Sequence, residues 1–78
     1  MHGDKKNLCG DKIRAARKAK GLKQIDLVTA LETDFGVKMD STTLGRIERF
    51  ERGVWDYELK AISEILEVPI DELFNPTN

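Results

Sequence analysis

The apolar residues of this chain recur at intervals of three and four, the spacing that gives a helix one buried face. No segment shows the strict alternation of a half-buried strand. A first helix is predicted over about Asp11 to Lys20, with Ile13 and Ala16 on one face, Leu8 just ahead and Gly21 as a natural stop. A second runs from about Gln24 to Thr33 and carries Leu27, Val28 and Leu31 on its inner side. In "DFGVKM", residues 34–39, Gly36 can end that helix, and Phe35, Val37 and Met39 are expected to tuck back into the core. Asp40 then caps a third helix, because its carboxylate can accept backbone N–H bonds at the open end. That helix is read over about residues 40–52. Leu44, Ile47 and Phe50 recur in it every three residues, so one thin stripe is buried while Ser41, Thr42, Gly45, Arg46 and Arg49 face outward. A fourth helix, about Asp56 to Glu67, has the strongest amphipathic pattern in Leu59, Ile62, Ile65 and Leu66. Finally "PIDELF" reads as a short helix: Pro69 starts it, Asp71 and Glu72 suit its positive end, and Ile70, Leu73 and Phe74 face inward. Five short helices in 78 residues make an all-α, compact five-helix bundle, in which helices two and three can form a helix-turn-helix.

Length and composition narrow the chemistry. The chain has room for one domain, over residues 8–75, behind a flexible polar segment, residues 1–7. A lone cysteine, Cys9, excludes an internal disulfide and reads as a small, semi-buried residue. One histidine and one cysteine cannot supply a Cys/His zinc site, so no metal and no cofactor is expected. No apolar run approaches the ~20 residues of a membrane span. The opening "MHGDKKN" is too polar for a signal peptide, so a cytoplasmic protein is expected. An enzyme is not expected, since His2 stands alone and no nucleophile–base pair or phosphate-cradling glycine loop is present.

Net charge is −1, but its distribution says more. Residues 1–23 carry +6, residues 24–45 carry −3, residues 46–52 carry +1 and residues 53–78 carry −5. A basic front and an acidic tail can address different partners.

Three fragments in order then resemble one family. "IRAARKAKGLKQIDLVTAL" is similar to the opening of phage-repressor (Cro/C1, XRE) type helix-turn-helix domains, through Ile13-Arg14, Arg17, Gly21-Leu22 and Gln24. "TLGRIE", residues 43–48, resembles the core of that family's recognition helix, and "LKAISEILEVPIDELF", residues 59–74, its closing segment. The resemblance covers roughly residues 8 to 74. Val28 stands where the family usually has a small Ala, and Phe50 where a Gly usually follows the Ile-Glu pair. The stop therefore moves to Gly53 in this reading, lengthening helix three by about a turn. The connection after Leu31 is also longer than usual. A branch of the family carries such a lengthened connection, followed by a segment like "RGVWDYEL", and this chain looks like that branch.

The resemblance implies a double-stranded DNA-binding transcriptional regulator of repressor type, working as a homodimer. It implies DNA-binding positions at Lys23, Gln24, Ser41, Thr42, Thr43, Gly45, Arg46, Arg49 and Arg52. Lys23 and Gln24 would meet a phosphate at a helix N-terminus. Ser41, Thr42 and Arg46 would face base edges in the major groove, and Arg49 and Arg52 the backbone. Arg17 and Glu48 hold positions that pair in related domains, an ion pair tying helix one to helix three. Gly45 costs about 1 kcal/mol relative to Ala inside a helix; the loss is tolerated, or the missing side chain permits close approach to DNA or to a packed helix. Arg46 has an alternative partner in Glu58 or Asp56. Trp55 and Tyr57 are assigned to the core or its edge, with a dimer surface or a wedge near DNA as alternatives. The rival function is an antitoxin or an adaptor that binds another protein through the acidic C-terminal half.

Overall fold

The computed structural model describes residues 9–74, with Phe74 described by its backbone alone. The N-terminal segment 1–7, Leu8 and residues 75–78 lie outside the described residues, as does the expected inward side chain of Phe74. The described residues form five helices: α1 (Gly10–Ala19), α2 (Gln24–Phe35), α3 (Ser41–Glu48), α4 (Asp56–Leu66) and α5 (Ile70–Phe74). Among the described residues there is no strand. No helix among them is long and apolar enough to cross a membrane.

The helices stop by a shared device. At α1, α3 and α4 a residue in the left-handed conformation donates its N–H to the carbonyl three residues back. The next residue donates to the carbonyl five back, which satisfies otherwise orphaned acceptors. Gly21 bonds Lys18 O at 2.9 Å and Leu22 bonds Arg17 O at 3.1 Å. Glu67 and Val68 do the same at 3.3 and 3.1 Å. At the end of α3 the left-handed residue is Phe50, with φ 64°, and its bond and that of Glu51 are 3.1 and 2.7 Å. The expected extension to Gly53 is thus corrected. Helix α3 ends at Glu48, because Phe50 takes up the backbone conformation a glycine normally supplies there.

The same turn corrects the buried stripe. Leu44 and Ile47 are fully buried, but Phe50 leaves the helix axis and is half exposed. Phe35 extends α2 to its last residue and is exposed instead of tucked in, because Gly36 turns the chain so that Val37 and Met39 pack inward. Trp55 and Tyr57, assigned above to the core or its edge, are 63% and 62% exposed; Leu59 and Ile62, further along α4, fill the core. Cys9 is wholly buried where a semi-buried residue was expected.

The core joins Ile13 of α1, Leu27 and Leu31 of α2, Leu44 and Ile47 of α3, Ile62 of α4 and Leu73 of α5, all at most 1% exposed. Val28, larger than the Ala of the resemblance, is accommodated and buried. Helix α2 packs on α3 and α4, and α1 packs on α3 and α5. Gly10 makes the α1–α3 approach close: a Cβ there would overlap the carbonyl oxygen of Ile47. The positive end of α1 therefore meets the negative end of α3, a favourable arrangement of helix dipoles.

Candidate nucleic-acid interface

Two helix N-termini open the site. At α2, the Asp26 carboxylate accepts the Lys23 N–H at 2.8 Å. The amides of Gln24 and Ile25 have no acceptor among the described residues, as the first turn of a helix dictates. At α3, Asp40 accepts the Thr43 N–H at 2.8 Å, as the sequence predicts. That bond, from the Thr43 backbone, holds the Asp40 carboxyl below its ordinary range. It also engages the backbone of Thr43, whose side chain is half-buried. Ser41 is half-buried and Thr42 exposed at the tip of α3.

Beneath them lies a buried ion pair. Arg17 Nε donates to Glu48 Oε2 at 2.7 Å and Arg17 Nη2 to Glu48 Oε1 at 3.0 Å, with side-chain exposures of 8% and 1%. The fork is completed by Arg17 Nη1, which donates to the Leu22 carbonyl at 2.8 Å. The expected tie between helix one and helix three is present. Gln24 Nε2 also donates to Glu48 Oε1, at 3.2 Å, so the start of α2 is bound into the same network.

Gly45 was expected to face outward, and the structure buries it. A Cβ at this position would lie 3.2 Å from Arg49 Nη1 and 3.3 Å from Gln24 Nε2. The missing side chain makes room for two polar side chains from different helices to converge.

The three arginines of this stretch divide. Arg46 is exposed, and its side chain makes no hydrogen bond or ion pair among the described residues, although its charge helps to lower the pKa of Glu51. Its suggested partner Glu58 is taken by Arg52, whose Nη1 and Nη2 donate to it at 2.9 and 3.1 Å. Glu58 is buried and accepts the Trp55 N–H at 2.9 Å, so Arg52 supports the start of α4. Arg52, expected at a DNA backbone, thus has an internal occupation. Arg49 shares its charge with exposed Glu51 at 3.2 Å, which raises the Arg49 pKa and lowers that of Glu51, foremost through their hydrogen bonds.

The structure brings Gln24, Gly45 and Arg49 into one concavity, while Lys23 stands at the head of α2 and Ser41, Thr42, Thr43 and Arg46 lie along α3. Sequence reasoning passed over Arg14 and Lys18, which line the same concavity as Gln24, Gly45 and Arg49. The signal for them was present: they lie four apart on a helix whose inward arginine, Arg17, lies between them. Comparison with family models gives no match to this chain, and comparison with curated proteins and with solved structures gives none either.

Proposed function

We propose that this chain is a sequence-specific double-stranded DNA-binding transcriptional regulator of repressor type, acting by binding and not by catalysis, in the cytoplasm and as a homodimer. The observation that carries the reading is Arg46, an exposed arginine whose side chain makes no hydrogen bond or ion pair among the described residues, one helical turn behind Thr42 on α3. The unpaired amides at the start of α2, held beside α3 through Gln24, offer a phosphate contact that would fix orientation. The family resemblance of the three sequence fragments adds support. An arginine at such a position can pair with guanine in a bidentate manner, worth roughly 1–3 kcal/mol of discrimination. A dimer would present two copies of α3 to half-sites about 34–36 Å apart.

The test is selection of bound sequences from a random duplex pool by the purified chain. An enriched palindrome is the expected outcome, and no enrichment at low salt overturns the reading. Arg46→Ala should weaken binding to the enriched site far more than to random DNA, whereas equal loss on both would make Arg46 a phosphate contact. A second reading, an antitoxin or adaptor with a protein partner at its acidic C-terminal half, draws on the exposure of Trp55 and Tyr57 in a segment of net charge −5. It predicts a stable complex with that partner in which these two rings become protected.

A further inference from the structure

Beside the candidate interface a cleft opens between α1, the start of α2 and α3. Arg17 and Glu48 contribute to its wall and neutralise each other. Arg14 and Lys18 from α1 add positive charge against one further lining acid, Asp11, and Arg49, just past the end of α3, adds a charge that it shares with Glu51. Arg14 and Lys18 are exposed, stand one helical turn apart, and have no ion-pair partner among the described residues. Like charges at this spacing repel one another. A concave wall concentrates the positive potential they create.

We infer that this cleft is a subsite for phosphodiester groups, held by Arg14 and Lys18, which carries the DNA interface from α2 and α3 onto α1. The inference rests on the DNA-binding reading above. Gln24, Gly45 and Arg49 belong to both the cleft and the candidate interface, so a strand lying along α3 brings its backbone past the cleft. Arginine supplies a planar fork of donors for phosphate oxygens and lysine a compact charge. A phosphate group could also arrive as a free ion. A single ion would meet Asp11 with few cations to hold it, whereas a polyanion engages Arg14, Lys18 and Arg49 together.

The experiment compares the wild-type chain with an Arg14→Gln/Lys18→Gln double variant, binding the enriched duplex and a random duplex over a series of salt concentrations. The variant should bind both roughly ten- to a hundredfold more weakly at ~0.1 M salt, and its log–log salt slope should fall by about 1.8. Its ranking of sequences should not change, and its thermal midpoint should not fall, since the like-charge repulsion is relieved. An unchanged slope and affinity overturn the inference, and so does a lost sequence preference at unchanged slope. A wild-type chain that binds no duplex overturns the DNA-binding reading itself, and the subsite with it, before the variant is measured. In a parallel arm, inorganic phosphate should displace duplex no better than chloride of equal ionic strength. Displacement beyond that, absent from the double variant, would identify free phosphate as the ligand and overturn the assignment to the DNA backbone.

Discussion

Gly45 on α3 and Phe50 in the turn that ends it show how single residues exchange stability for geometry. Gly45 forgoes about 1 kcal/mol of helix propensity relative to Ala and leaves space in which Gln24 and Arg49 converge. The atoms a methyl group would meet are the ends of flexible side chains, which can retreat by a few tenths of an ångström. Gly45→Ala is therefore expected to raise stability by up to about 1 kcal/mol and to weaken DNA binding severalfold, by displacing both side chains. Chemical denaturation and duplex titration of one preparation check both signs; a gain in both quantities would show that Gly45 has no part in the interface. Phe50 presents the opposite case. It holds a left-handed conformation, φ 64°, that disfavours any residue with a Cβ, and its half-exposed ring recovers little burial. Phe50→Gly should stabilise the fold by about 1 kcal/mol, seen as a higher denaturant midpoint at unchanged slope. Destabilisation would mean that the ring's contacts outweigh the backbone strain.

At the scale of elements, the periodic signals located all five helices, and the ends were lost where a rule of composition met an exception of conformation. Leu44 and Ile47 could be placed from spacing alone. Phe50 stands where the family resemblance expects a stopping glycine, so the helix is carried to Gly53 in that reading, although Phe50 itself terminates it. Trp55 and Tyr57 looked like core because aromatic rings carry large apolar area, yet the aliphatic residues of α4 already fill the space. The site was legible in part for a similar reason. The Asp40 cap follows from a residue type at a definite position, and the Arg17–Glu48 pair was legible only through the family resemblance. The closure of Gly45 by Gln24 and Arg49, and the Arg52–Glu58 pair, depend on how α2, α3 and α4 approach each other. The Arg17–Glu48 pair is what fixes the α1–α3 approach, with both side chains nearly inaccessible. Glu48→Ala should cost about 3–5 kcal/mol, since it leaves a buried guanidinium without its counter-charge. An Arg17→Met/Glu48→Leu double variant should recover most of that loss, because no charge then remains to be desolvated. Equal losses in the single and double variants would show that the pair's worth lies in shape and not in charge.

For the molecule as a whole, one small core couples its two ends, so protonation at either end is read out in the stability of the entire bundle. Asp40 has a pKa lowered from 3.8 by the Thr43 N–H. A depressed acid stabilises the fold above its unfolded pKa, and that contribution is lost as the pH falls through 3.8 and below. Glu51, lowered by Arg49, acts in the same direction. Cys9 has a pKa raised above 9.0, foremost because burial penalises the thiolate and secondly because Asp11 is near. Its stabilisation is complete below the unfolded pKa and is lost as the pH rises past 9.0, where the unfolded chain ionises first. The stability profile should therefore hold a plateau between these limits, with an acid limb and an alkaline limb of separate origin. Denaturant unfolding across the pH range checks this with two variants. Asp40→Asn keeps a capping oxygen and should flatten the acid limb, leaving the remainder to Glu51. Cys9→Ala should lower the plateau, through lost packing, and flatten the alkaline limb while leaving the acid limb in place. An alkaline limb that persists unchanged in Cys9→Ala would mean that the buried thiol titrates no differently in the folded and unfolded chain.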